Sequence, residues 1–188
     1  VFTKPPSCVI GDGGEIARHR RVTDELDYEA ELAVIIGRSG RDIPREEAAA
    51  HIWGYTIIND VTARDRQRDH KQWLLGKGLD TFCPMGPWAV TVDEVDPEGR
   101  GRPDLLLTCR VNGELRQQAR TTDLIFDIPA IIAEISSGLT LEPGDVIATG
   151  TPAGVGIGFR PPRFLQVGDE VAITITGLGT LRNRVAES

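Results

Sequence analysis

Two glutamates two residues apart, Glu29 and Glu31 in LDYEAELAVII (26–36), are the first candidates for chemistry in this chain. Leu26, Tyr28, Ala30, Leu32, Val34 and Ile36 fall on alternate positions, the period of a β-strand with one buried face. The other face, Asp27, Glu29, Glu31, Ala33 and Ile35, starts acidic and turns apolar. On a helix the two carboxylates would lie about 200° apart. On a strand they leave the same side, roughly 7 Å apart along the chain. Like charges so placed raise each other's cost of ionisation, and a bound divalent cation inverts that relation. GYTIINDVTARDRQ (54–67) adds a third carboxylate, because its apolar strand, Tyr55 to Ile58, ends at Asn59-Asp60 and opens into a polar run. Glu29, Glu31 and Asp60, with no matching His or Cys cluster, form an oxygen-rich set that suits Mg²⁺, Mn²⁺ or Ca²⁺ and disfavours structural Zn²⁺. The plainer alternative leaves the glutamates on a solvated strand face and Asp60 at a turn.

Two further stretches carry candidate groups. In QWLLGKGLDTFCPMGPW (72–88), Lys77 lies between two glycines, where an exposed backbone can approach a ligand and the ammonium can neutralise a carboxylate or an enolate oxygen. The GKG lacks the glycine spacing and the following Ser/Thr of a phosphate loop, and an exposed loop lysine is the alternative. GDVIATGTPAGVG (144–156) reads as a strand running into a glycine-rich loop, whose backbone N–H groups, with Thr149 and Thr151, could cup an anion. It is not a G-x-G-x-x-G opening a helix, so dinucleotide binding is a poor match, and a tight inter-strand turn is the alternative. His19, His51 and His70 show no metal spacing.

The elements that must position these groups are mostly strands. Alternating or β-branched runs place them at 28–36, 53–59, 87–93, 104–111, 145–149 and 170–176. Asn112-Gly113 in VNGEL marks a hairpin. Three helices are expected: one from Pro44 through REEAAAHI, one over about 124–136 with Asp123 or Asp127 as N-cap and Gly138 as stop, and one within ARDRQRDHKQW. The fold class is a β-rich α+β single domain over 1–188. A formal charge of −7 argues against nucleic-acid binding, and no apolar run approaches the length of a membrane span. Cys8, Cys83 and Cys109, odd in number and without C-x-x-C pairing, read as reduced core thiols of a cytoplasmic protein, and the aromatic residues as core.

LDYEAELAVIIG, GYTIINDVTARDRQ, KGLDTFCPMGPW and GDVIATGTPAGVG, in that order, resemble the C-terminal catalytic domain of the fumarylacetoacetate hydrolase family. GDEVAITITGLGTLRNRV (168–185) is similar to the strand pair that closes that domain. The resemblance covers nearly the whole chain and implies a mixed β-sandwich roll, usually a homodimer. It implies Glu29, Glu31 and Asp60 as the ligands of Mg²⁺ or Mn²⁺, and Lys77 as the lysine that stabilises negative charge on the substrate. Arg64 and Gln67 match residues that contact or orient the substrate, and Gly150 and Thr151 match the loop that holds its carboxylate end.

Substrates implied in this way are 2-keto acids with a second carbonyl in 1,3-relation. The expected reaction is hydrolysis of a C–C bond in an acylpyruvate or fumarylpyruvate-like diketo acid, with the departing carbanion delocalised as a metal-bound enolate. An isomerase or decarboxylase acting on 2-hydroxy-diene-dioates of aromatic catabolism uses the same enolate stabilisation, and a non-catalytic metal-binding homologue is a third alternative. The resemblance also places a His–Glu pair, H-x-x-E, on a short helix just before VFTKPPSCVIG, and no H-x-x-E occurs in the sequence. Either that lid segment precedes Val1 or this member lacks it; the non-Met start favours the first.

Overall fold

The computed structural model describes residues 1–187. The strands are β1 (Val9–Ile10), β2 (Glu15–Ala17), β3 (Leu26–Asp27), β4 (Ala30–Ile36), β5 (Ile52–Asn59), β6 (Thr62–Ala63), β7 (Cys83–Thr91), β8 (Leu106–Val111), β9 (Glu114–Arg120), β10 (Val146–Ala148), β11 (Glu170–Ile175) and β12 (Gly179–Ala186). The helices are short: α1 (Arg64–His70), α2 (Leu74–Lys77), α3 (Val92–Val95) and α4 (Ile128–Ser136). One five-stranded sheet runs β1-β7-β5-β4-β10, a second runs β2-β12-β11-β8-β9, and β3 pairs with β6 alone. The sheets face each other where β7 and β5 pack on β12 and β11, around Tyr28, Tyr55, Ile57, Phe82 and Ile173, all at most 1 % exposed. The mixed, β-rich α+β architecture expected from the sequence is the one observed.

The first seventeen residues tie the sheets together. β1 joins the first sheet parallel to β7, and β2 joins the second parallel to β12. Both pairings satisfy backbone hydrogen-bonding groups of this N-terminal segment.

Several elements differ from expectation. The run 26–36 is not one strand: β3 and β4 are separated at Tyr28-Glu29. The segment from Pro44 forms no α-helix; only Ala48–His51 closes into a 3₁₀ turn. The chain must deliver Ile52 into β5 directly afterwards, and His51 is held by its Nδ1 contact with Arg38 O at 2.9 Å, so a regular helix has no room to continue. The expected 124–136 helix starts later, at Ile128, because Asp127 caps it by accepting from the Ala130 N–H. β7 begins at Cys83, four residues before the expected start. The tryptophans are not core: Trp53, Trp73 and Trp88 are all exposed, as is Phe126. The three cysteines are free and buried as expected, and burial pushes the Cys83 and Cys109 thiols up to about 12.

Candidate metal centre

The strand break at residues 28–29 is what builds the site. Three successive backbone N–H groups leave the ladder and donate to side chains. Tyr28 N donates to Asp27 Oδ1 (2.9 Å), Glu29 N to Asn59 Oδ1 (3.1 Å) and Ala30 N to Gln117 Oε1 (3.1 Å). The facing chain breaks at the same level, with Asp60 N donating to Glu29 O at 2.8 Å before β6 resumes the pairing with β3. Glu29 in the break, Glu31 on β4 and Asp60 directly after β5 bring one carboxylate oxygen each to within 4.8 Å of one another. All three are buried, at 8 %, 4 % and 2 % exposure, so the solvated-face alternative does not hold.

Cations surround this acidic set. Lys77 Nζ lies 2.8 Å from Glu29 Oε2 and 2.6 Å from Asp60 Oδ2. Lys4 Nζ lies 2.5 Å from Asp60 Oδ1 and also donates to the Lys77 carbonyl. Arg64 Nη1 is 2.6 Å from Glu29 Oε1, and its Nε donates to Asp27 Oδ2 at 2.9 Å. Burial works against the Arg64 charge, yet the Glu29 and Asp27 carboxylates hold its pKa above the ordinary value. Among the described residues Glu31 has no such cation within hydrogen-bonding distance; its Oε2 accepts the Gly150 N–H at 2.7 Å. Burial first, and the Asp60 carboxylate second, push the Glu31 pKa up to about 8 against that hydrogen bond.

The donor set fits a hard divalent cation. Three buried carboxylates converge with no sulfur or imidazole among them. Glu29, Glu31 and Asp60 are therefore the residues that could hold the ion.

Lys77 is not a loop lysine. It ends α2, is 1 % exposed, and its ammonium faces the Phe2 ring, 5.2 Å from the centroid. Phe2 in turn packs on Trp73, 5.4 Å between ring centres. The preceding glycine is required by packing rather than by a turn. A Cβ on Gly76 would stand 2.7 Å from Gln67 N and 2.9 Å from Gln67 Cα, so α2 lies directly on α1 there. Gly76→Ala is therefore expected to destabilise by roughly 1–3 kcal/mol, as overpacking does, and to displace Lys77 from Glu29. A thermal melt shifted by about 2 °C or more checks the first expectation; a fall in metal-dependent turnover checks the second.

Of the other expected residues, Gln67 accepts from Arg64 Nη1 at 3.2 Å, beside the carboxylates. Gly150 and Thr151 lie at the same site but are engaged by the scaffold. Thr151 Oγ1 donates to Ala30 O (2.9 Å) and accepts from Gln117 Nε2 (2.8 Å), while Thr149 Oγ1 donates to Leu32 O (2.8 Å). His70 is exposed beside Arg66, and His51 is buried outside the site. A groove of about 420 Å³ lines the other side of the Thr149–Ala153 loop, with Leu32, Leu107, Leu124 and Phe126. Leu32 follows Glu31 on β4 and faces the opposite way, and none of Glu29, Glu31 and Asp60 lines this groove, although Gly150 and Thr151 border it. Lys4, Asp27, Asn59 and Gln117 escaped the sequence reading as site residues. Only Asp27 carried a signal, as the first acid of the face that holds Glu29 and Glu31.

A strand-flanked carboxylate triad of this kind, in two facing mixed sheets, defines the class. Residues 1–186 match the family model described as fumarylacetoacetate (FAA) hydrolase C-terminal, and the chain belongs to that family. It is 54 % identical over 185 residues to the oxaloacetate tautomerase YisK of Bacillus subtilis (strain 168), covering 98 % of this chain and 60 % of that protein. The structure superposes on a fumarylacetoacetate hydrolase from psychrophilic Exiguobacterium antarcticum with a TM-score of 0.94 and 53 % identity, over 100 % of this chain and 66 % of that one. It also superposes on a 5-carboxymethyl-2-hydroxymuconate delta-isomerase from Mycobacterium smegmatis, with a TM-score of 0.87 and 45 % identity, over 100 % and 68 %. The chain thus spans about 60 % of the length of the curated relatives it matches.

Proposed function

We propose that this chain is the catalytic domain of an enzyme dependent on Mg²⁺ or Mn²⁺ that moves a proton at the carbon beside the carbonyl of a 2-oxo acid, as a tautomerase or isomerase. The observation that carries the reading is Lys77. Its ammonium is buried against two members of the carboxylate triad, a fixed positive charge where an enolate oxygen would develop its negative charge. When bound, the divalent cation supplies Lewis-acid polarisation of neighbouring substrate oxygens. The chain's own residues do the rest. Lys77 holds its protons at Nζ toward the developing charge. Arg64, steadied by Gln67, offers a guanidinium to a substrate carboxylate. Gly150 and Thr151 fix the wall against which that carboxylate end rests. Phe2 and Trp73 cover Lys77 and limit water at its ammonium. The 54 % identity to an oxaloacetate tautomerase and the 45 % identity to a muconate isomerase support proton transfer as the reaction type.

A second reading, hydrolysis of the C–C bond of an acylpyruvate, draws on the same charge stabilisation and is supported by the likeness to the Exiguobacterium antarcticum protein named a hydrolase. One panel separates the two. Protein stripped with chelator and restored with Mn²⁺ is offered oxaloacetate, a small acylpyruvate and a 2-hydroxymuconate-type diacid, with enol absorbance followed and products identified by NMR. The expected result is metal-dependent enol–keto conversion or double-bond migration with the carbon skeleton intact. Cleavage products would move the assignment to the second reading, and rates indifferent to chelation would overturn both.

A further inference from the structure

The metal triad, Lys77, Arg64 and Gln67 leave one buried carboxylate beside the site without a role. Asp27 is 0 % exposed, and each of its oxygens has two donors. Oδ1 accepts from Tyr28 N at 2.9 Å and Gly156 N at 2.6 Å; Oδ2 accepts from Ile157 N at 3.0 Å and Arg64 Nε at 2.9 Å. One side chain thereby joins the strand break, the glycine-rich loop and the first residue of α1. The guanidinium it grips is fixed at a second point by Glu29, 2.6 Å from Nη1. Among the described residues, Arg64 Nη2 is left as a buried donor with no hydrogen-bond partner, on a side chain only 8 % exposed. A buried, unpartnered guanidinium nitrogen is costly, and a native site retains one where a ligand supplies the acceptor.

We propose that Asp27 is a positioning residue that acts through Arg64: it sets the guanidinium so that Nη2 meets a carboxylate oxygen of the 2-oxo acid, and it locks the 154–158 loop in register with that contact. This rests on the functional reading above for the identity of the ligand, and it adds the residue that presents the donor. A planar guanidinium held at both Nε and Nη1 cannot rotate, so its remaining donor has one direction. Asp27 touches no reacting atom. Its loss should weaken binding of the anion while leaving the carboxylate triad able to bind metal, because Asp27 is not among the three carboxylates that converge.

The test uses oxalate, an unreactive dicarboxylate, and Mn²⁺, both titrated calorimetrically, together with steady-state kinetics on the best substrate of the panel. Asp27→Asn is expected to weaken oxalate binding to the Mn²⁺-loaded protein and to raise KM by at least about tenfold, the scale of one charge-assisted hydrogen bond. Mn²⁺ affinity should stay within about threefold. A merely structural role would lower kcat through loss of folded protein and leave KM unchanged. Arg64→Gln should make a further Asp27→Asn change silent toward oxalate, since the second residue acts through the first. Should Asp27→Asn not fold, Gly156→Ala replaces it. A Cβ there would stand 2.5 Å from Arg163 O and 2.6 Å from Asp27 Oδ1, so it shifts the 154–158 loop and the carboxylate together without removing the charge. Unchanged oxalate affinity and KM, or additive effects in the double variant, would overturn the proposal. Oxalate binding that responds as expected in a protein that turns over none of the panel would uphold Asp27 and overturn only the functional reading.

Discussion

Glu31→Gln is expected to make the chelated protein more stable than the wild type at pH 8 while removing its affinity for Mg²⁺ or Mn²⁺. The reason is the proton on Glu31. Its folded pKa of about 8 lies above the ordinary 4.5, so between those values the folded state holds a proton that the unfolded chain has released. The stability this contributes is complete below about pH 4.5 and is lost as pH rises to about 8. Thermal melts of the wild type in chelator should therefore fall steadily from about pH 5 to pH 8. Glutamine is the uncharged isostere of the acid that is already there, and its carbonyl oxygen can keep the Gly150 N–H. The variant's melting temperature should be flat over the same range. Added Mn²⁺ should raise the wild-type melt most at the alkaline end, where a ligand of the native state stabilises by mass action. It should leave Glu31→Gln unmoved. Loss of an outer-shell partner alone costs ~10–100-fold in metal affinity, so loss of a direct ligand should exceed ~100-fold. A variant that still binds Mn²⁺ tightly, or that melts with the wild-type pH dependence, would remove Glu31 from the metal set.

Why Glu29, Glu31 and Asp60 were legible in the sequence, and their neighbours were not, has a physical basis. Alternation along 26–36 exposes acids placed among strand residues, and a polar run directly after an apolar strand marks a strand end. Both are local signals, and with the ordered motifs they led to the fold and to the triad. The break at Tyr28-Glu29 was not legible, because its cause is non-local: the donors that leave the ladder are taken by Asn59 and Gln117, thirty and eighty-seven residues away. Lys4 is likewise fifty-six residues from Asp60, in a stretch with no period. For Lys77, GKG alone left an exposed loop lysine open because it describes backbone freedom, whereas the glycine at 76 serves the contact between α1 and α2. The Pro44 segment carried helix-forming residues that lost to tertiary constraint, since β5 must begin at Ile52. The exposed tryptophans show the converse limit, for residue type alone does not reveal which apolar surface the fold leaves uncovered.

Lys77→Met carries the largest expected effect on rate. Nζ is held between Glu29 and Asp60, but neither acid depends on it alone: Glu29 keeps Arg64 at 2.6 Å and Asp60 keeps Lys4 at 2.5 Å. Methionine preserves the unbranched apolar stem in a fully buried position, so the fold should persist while one positive charge is lost. Two consequences follow with opposite signs. Mn²⁺ should bind no more weakly, and tighter binding is expected, because the triad loses a competing cation. Turnover should fall by ~10²–10³ in kcat, the cost typical of removing one preorganised group that meets developing charge. Lys77→Arg should not restore the rate. Its planar, bulkier head cannot occupy the point between two carboxylates that a compact ammonium fills, with α2 already pressed onto Gln67 at Gly76. Calorimetric Mn²⁺ titration beside steady-state kinetics separates the two effects. A kcat within about threefold of the wild type would show that the buried ammonium serves the carboxylates and not the reaction.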